Sequence, residues 1–232
     1  NYMKKFLEPG HELQIYGSYA SNFRDEENKY SEKEIDAELN SIDELIDSTR
    51  TLQEGNGRTI VGKLDYTLPV FENGKIEAGY QVQLSSLDND YRFQNISNSS
   101  WIDDTSKYNP YFFSQNVQSG YVIFSNLGDK FGYMAGLRTE FTDREFNPDL
   151  RDTAWIYEKF DFFPTMHISY KLPYSIELMA SYSRRLDRPR PWYLDPFVEV
   201  IDPNNVRQGN PMLEPEYTNS FELTMQKRFN KN

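Results

Sequence analysis

Cysteine is absent. No disulfide framework and no thiolate metal site can therefore hold this chain together. Histidine is almost absent, with only His11 and His167. His11 sits in a short Pro-Gly turn segment, and His167 is expected on the polar face of a strand. A Ser–His hydrolase would need one of them aimed at a serine across strands. No local spacing suggests that, so no catalytic residue is assigned and the chain is read as a non-enzyme. Long apolar runs are also missing, and without about 18 consecutive apolar residues no transmembrane helix is expected. Asn1 leads directly into Tyr2, Met3, Lys4, Lys5 and Phe6, so no secretory leader is expected in this stretch. Cations are scarce: 25 Lys and Arg face 36 Asp and Glu, for a net charge of −11. That balance argues against general nucleic-acid binding.

Aromatic residues, by contrast, make up 16% of the 232 residues, with 17 Tyr and 16 Phe. Hydrophobic content is only 38% and mean hydropathy is −0.78. A soluble all-β protein fits these values. So does a membrane β-barrel, which has a polar lumen face and wet loops.

Period-2 alternation recurs along the chain. Leu13, Ile15 and Tyr19 oppose Glu12, Gln14, Tyr16 and Ser18. Ile60, Leu64, Tyr66 and Leu68 oppose Lys63, Asp65 and Thr67. Ile76, Ala78, Tyr80, Val82 and Leu84 oppose Glu77, Gln81 and Gln83. Val117, Tyr121 and Ile123 oppose Asn116 and Gln118, with Val122 and Phe124 blurring the pattern. Further alternating runs start near Tyr133, Phe162, Ile176 and Phe221, and a short one spans Tyr2 to Leu7. The expectation is about nine antiparallel strands.

The connections alternate short and long. Turns with Gly, Pro, Asn or Asp lie near 8–11, 71–75, 127–130 and 172–174. Long segments cover about 23–57, 88–112, 147–159 and 187–216. An up-and-down transmembrane barrel places its short turns at one rim and its long extracellular loops at the other. The first long segment also has a helical pattern. Ser31, Glu32, Lys33 and Glu34 have the form of a capping box, and Ile35, Leu39, Ile42, Leu45 and Ile46 follow at helical spacing. One short loop helix is expected there. In 187–216, prolines at 189, 191, 196, 203, 211 and 215 exclude a regular helix or central strand.

Several motifs then carry a resemblance. Tyr182-Ser183-Arg184-Arg185-Leu186-Asp187-Arg188-Pro189, Leu194-Asp195-Pro196-Phe197 and Gly209-Asn210-Pro211-Met212-Leu213-Glu214-Pro215-Glu216 resemble the barrel of TonB-dependent receptors. The match is to the outer-membrane β-barrel group common in Bacteroidetes. Asp65-Tyr66-Thr67-Leu68-Pro69, Ala135-Gly136-Leu137-Arg138-Thr139-Glu140 and Phe163-Pro164 extend it, in the same order along the chain. The resemblance implies an all-β, antiparallel up-and-down transmembrane barrel segment, about nine strands of a barrel of roughly 22. It implies a cell outer-membrane location in a Gram-negative bacterium. It also implies uptake of a scarce nutrient: a siderophore, cofactor, glycan or peptide. Nothing here resembles the family's plug or its TonB-contacting segment, so the chain is expected to be a piece of a larger receptor. Expected partners are outer-membrane lipid, the plug domain, TonB through the missing part, and a surface lipoprotein. No nucleic acid and no cofactor is expected.

Candidate ligand contacts are Trp192, Tyr193 and Phe197 in the last long segment, with Arg138 and Glu140 on a lumen-facing strand. Arg184, Arg185, Arg188 and Arg190 form the densest basic cluster. They could bind lipopolysaccharide phosphates bidentately, or pair with acids such as Asp187 and Glu140 inside the rim. Asp103-Asp104 and Asp88-Asn89-Asp90 could bind calcium, but solvated loop acid is the simpler reading. Trp101 and Trp155, like Trp192, suit packing between loops as well as ligand stacking. Two other functions stay open: a barrel that anchors a surface complex without transport, and a soluble carbohydrate-binding β-sandwich.

Overall fold

The computed structural model describes all residues except 36–40, 149–153, 203 and 229–232, and the backbone alone at 32–35 and 41–47. It contains β1 (Tyr2–Lys5), β2 (Glu12–Ile35), β3 (Ser41–Val70), β4 (Gly74–Ser97) and β5 (Ser100–Asp103). Then come β6 (Tyr111–Leu127), β7 (Phe131–Pro148), β8 (Trp155–Leu172) and β9 (Ile176–Asp187). A single helical turn, α1 (Pro191–Leu194), precedes β10 (Glu199–Asp202), β11 (Asn205–Arg207) and β12 (Glu216–Lys227). One sheet follows the order β1-β2-β3-β4-β6-β7-β8-β9-β12, with β5 paired to β4, while β10 and β11 form a separate hairpin. All pairings are antiparallel. Nine strands on one up-and-down path is the architecture that the alternation implies.

Register sorts the side chains into two faces. Ile60 opposes Leu84, Val122 opposes Leu137, and Tyr182 opposes Met166 and Phe221. These residues lie on one face, and its large apolar side chains are exposed: Ile15, Tyr19, Leu64, Tyr80, Phe160, Leu223 and Met225 among them. No second sheet covers this face among the described residues, so the sandwich reading fails. On each long strand the outward apolar stretch begins next to a short turn and then stops. In β4 it runs from Ile76 to Leu84, and Ser86 and Asp88 follow on the same face. That length matches the ~9–11 residues a tilted strand needs to cross a bilayer. Phe131, Tyr133 and Tyr170 gather near the short-turn end, as an interfacial aromatic girdle does. The opposite face carries Gln81, Ser119, Glu140, Thr142, Arg144 and Asp161. It is the polar, lumen-type face.

Three expectations are corrected. The helix after Ser31 does not form where the backbone is described. β2 runs on to Ile35, and β3 begins at Ser41 and pairs back against it. The middle of the expected helix, including Leu39, lies outside the described residues. A short isolated helix must nucleate at a cost, whereas a hairpin already zipped from Glu12 to Ser31 adds ladder bonds one residue at a time. Ser31 accepts a hydrogen bond from Ser48 across the hairpin instead of capping a helix. Second, the segments 23–57, 88–112 and 147–159 are strand over much of their length. β3 alone has 30 residues. At ~3.4 Å per residue it extends roughly 100 Å, far beyond a bilayer. Third, β6 faces the other way from the sequence reading. Val117 is buried on the polar face beside Ser119, and Tyr121 reaches Asp65 there, while Val122 is exposed outward. Apolar residues lie at both parities of β6, so the neighbouring strands decided its facing.

Candidate functional site

Between β9 and β12 the chain leaves the sheet, covers the polar face of the upper strands, and returns. Proline fits this excursion because no ladder needs its N–H groups. Pro191 occupies the first position of α1, where a missing N–H costs nothing. The single turn is thus the one helical form that the prolines permit.

The excursion is fastened by specific contacts. Leu194 is 0% exposed and sits against Tyr111, Phe113 and Phe146, with Leu87 and Trp155 at the margin. Tyr111 stacks on Phe146 with centroids 4.7 Å apart. Complete burial of a leucine side chain contributes on the order of 2–3 kcal/mol. Asn109 donates from Nδ2 to both carboxylate oxygens of Asp195 at 3.1 Å. The Phe197 amide donates to the same carboxylate at 3.0 Å. The Gly209 amide reaches the Asp195 carbonyl, and Asn210 N–H donates to the Tyr193 carbonyl at 2.7 Å. A Cβ on Gly209 would stand 2.4 Å from that Tyr193 oxygen, so only glycine allows this approach.

The β10–β11 hairpin is held in the same way. Tyr91 OH donates to the Val200 carbonyl at 3.3 Å and accepts from Val200 N–H at 3.2 Å. Tyr30 OH donates to the Ile201 carbonyl. Burial pushes the Tyr91 phenol up to about 12. Tyr111 is raised too, by burial and then by the charges of Asp195 and Glu199. Both therefore stay neutral hydroxyls at ordinary pH. Arg144 holds the return limb, donating to the carbonyls of Leu213 at 3.0 Å and Pro211 at 3.4 Å. Its guanidinium also lies 4.5 Å from the Tyr157 ring centroid.

Beneath the excursion is a cavity of about 380 Å³. Trp192, Tyr111 and Leu87 give it aromatic and apolar wall. Asn22, Arg24, Gln53 and Asn89 line it from the strands, and Asp195, Glu199 and Arg207 from the excursion. Arg207 pairs with Glu199, and Arg24 with Glu26. Gln53 donates to Asn89 at 2.9 Å. Asp195 is held above the usual carboxylate range, mainly by burial. An aromatic plate ringed by amides and both signs of charge suits a small polar ligand with several donors and acceptors.

Of the candidates named from sequence, Trp192 lines this cavity. Tyr193 is exposed and contributes its backbone carbonyl to the fastening. Phe197 contributes its amide. Arg138 and Glu140 lie elsewhere, lower on β7. There Glu140 pairs with both Arg138 and Arg188, and Arg188 also donates to Thr142 Oγ1 at 3.0 Å. The network ties the base of the excursion to the sheet. Arg184 stands over the Tyr217 ring and Arg190 over Trp192. Sequence reasoning missed Asn22, Arg24, Gln53, Asn89, Asp195, Glu199 and Arg207. Only Asp195, inside Leu194-Asp195-Pro196-Phe197, and Asn89, inside Asp88-Asn89-Asp90, carried a local signal. Of the histidines, His11 meets Tyr66 OH at 2.8 Å and His167 meets Thr165 at 3.5 Å. Among the described residues no group of three or more His, Cys, Asp or Glu could hold a metal ion.

Comparison with known proteins adds two findings. A family model described as "Outer membrane protein beta-barrel family" matches residues 4–232. Among solved structures, the chain is similar to the ferric citrate transporter FecA in its unliganded form, with a TM-score of 0.57 at 14% identity. That likeness is one of fold, and it covers 95% of this chain and 30% of the FecA chain. No curated protein matches.

Proposed function

The chain belongs to the outer membrane protein β-barrel family, and on that premise we propose that it forms part of the wall and outer mouth of a TonB-dependent receptor. The receptor takes up a scarce nutrient through a plugged barrel in the cell outer membrane of a Bacteroidetes-type bacterium. The remaining wall, the plug and the TonB-contacting segment are assigned to parts of the receptor beyond these residues. The fold match, which extends over only 30% of the FecA chain, supports that assignment.

One observation carries the reading. The excursion after β9 folds over the lumen-type face and closes a mixed-charge cavity floored by upper strands and capped by Trp192. A wall that only anchored other proteins would have no need to close a ligand-sized space on its inner face. The loop helix expected after Ser31, which a docking role could have used, does not form over the described parts of 31–46.

Uptake of nutrients supplied singly at limiting concentration tests the proposal. Cells carrying the protein are expected to accumulate one class, and collapse of the inner-membrane proton gradient is expected to abolish uptake. Trp192→Ala should reduce uptake up to about tenfold while surface abundance stays constant, in line with the ~0.5–1.5 kcal/mol of an aromatic contact. Uptake that survives loss of the gradient would sink the energised reading. Uptake indifferent to Trp192→Ala would remove the cavity from it.

A further inference from the structure

The outward face carries a second recess, about 440 Å³ in volume, where the apolar stretch gives way to polar residues. Tyr19, Ile60 and Leu84 form its lower wall. They share one ladder row, Tyr19 against Ile60 and Ile60 against Leu84. The next row outward is polar throughout: Ser21, Arg58, Ser86 and Ser114 stand in register across β2, β3, β4 and β6. Arg58, Ser86 and Ser114 line the recess. On β6 the polar residues dip lower, since Asn116 lies in the row of Leu84, and Asp143 of β7 stands opposite Asn116. Both also line the recess.

Arg58 is the notable member. It is exposed and makes no ion pair, side-chain hydrogen bond or ring contact among the described residues. Most other described cations on the upper strands are engaged: Arg24 with Glu26, Arg50 with Glu27, Arg92 with Asp90 and Lys159 with Glu214. In a protein with a net charge of −11, an unengaged arginine is out of keeping with its surroundings. Its position is the headgroup level of the outer leaflet if the apolar stretch sits in the hydrocarbon layer.

We infer that this recess binds a phosphorylated glycolipid of the outer leaflet. The guanidinium takes the phosphate in a two-pronged contact. The hydroxyls of Ser86 and Ser114 add donors to the same anion. Asn116 and Asp143 accept from sugar hydroxyls or amide N–H groups. Asp143 is what separates the sources: a carboxylate beside a bare phosphodiester repels it, whereas a donor-rich sugar satisfies both. The acyl chains lie along Tyr19, Ile60 and Leu84. This site depends on the membrane placement of the outward face and not on transport, so a failed uptake assay leaves it intact.

The test is lipid titration of the protein extracted from membranes in detergent, read by native mass spectrometry. The probes are lipid A, its dephosphorylated form, phosphatidylglycerol and phosphatidylcholine. Lipid A is expected to bind most tightly. Arg58→Gln should weaken it about tenfold, the scale of one lost charge-assisted contact. Arg58→Lys should recover part of the loss, and Lys63→Gln, in the row of Gln81 on the polar face, should change nothing. Heat-modified gel migration checks that each variant is folded, and Arg58→Lys serves should Arg58→Gln fail to fold. Equal lipid A binding by wild type and Arg58→Gln would overturn the site. Dephosphorylated lipid A bound as well as lipid A, or phosphatidylglycerol bound as tightly, would overturn the phosphorylated-glycolipid assignment.

Discussion

Single side chains decide how the excursion is held. Asp195 is the clearest case, because its half-buried carboxyl group is both fastened and desolvated. Desolvation raises its pKa, while Phe197 N–H and Asn109 oppose the rise without cancelling it. A carboxyl raised in the folded state is favoured there in its neutral form. The fastening is therefore strongest below the ordinary carboxylate range and weakens as pH rises through the raised value. Amide exchange at Gly209 and Asn210, corrected for intrinsic rates, should show protection falling over that window. Asp195→Asn keeps an acceptor for Phe197 N–H and removes the charge, so it should flatten the profile and raise protection at neutral pH. An unchanged profile would mean another group controls the excursion. Glu140 is a different kind of residue. It is 7% exposed and shared by Arg138 and Arg188, so it joins β7 to the start of the excursion.

Among the elements, α1 is short enough that helix propensity contributes little. Tertiary contacts hold it, chiefly Leu194 in its aromatic pocket. Leu194→Ala should cost about 2–5 kcal/mol locally, the usual range for emptying a packed leucine site. Because the sheet stands without α1, the loss should register as loosening of 188–215 and not as collapse of the strands. Exchange mapping should show protection lost at Tyr193, Gly209 and Asn210 with the β6–β7 amides unchanged. Global loss would show that the excursion supports the sheet. The strands show the reverse dependence. β2 and β3 outlast any local helical preference because each residue added to the hairpin gains a ladder bond already in register.

At the scale of the whole molecule, the sheet is a two-faced wall. Its outer surface is apolar over a bilayer's thickness and its inner surface is polar, so charge should be tolerated on one side only. Leu137 is exposed near the middle of the outward stretch of β7. Leu137→Arg should destabilise by about 2–4 kcal/mol in urea unfolding from lipid vesicles, the cost of a cation facing lipid. Gln83→Arg, on the inner face, should change stability by under about 0.5 kcal/mol. Equal effects would mean the outward face does not contact lipid.

The sequence by itself determined the nine strands of the main path, their antiparallel order, the short turns and the outward face of most of them, but not β5, β10 or β11. Period-2 alternation and turn chemistry are local, and one buried or lipid-facing side makes them legible. It failed on β6, where Val117, Tyr121 and Ile123 compete with Val122 and Phe124, and only Leu137 and Ile76 on the neighbouring strands settle which set faces out. It failed after Ser31, where a capping box competed with a growing hairpin. Trp192 could be picked out as an aromatic in a long loop. Its cavity partners could not, since Asn22, Gln53 and Arg207 are far apart in the chain and carry no motif. Tertiary structure alone placed them together, because the excursion's position depends on Leu194, Tyr91 and Arg144 finding surfaces that other strands present.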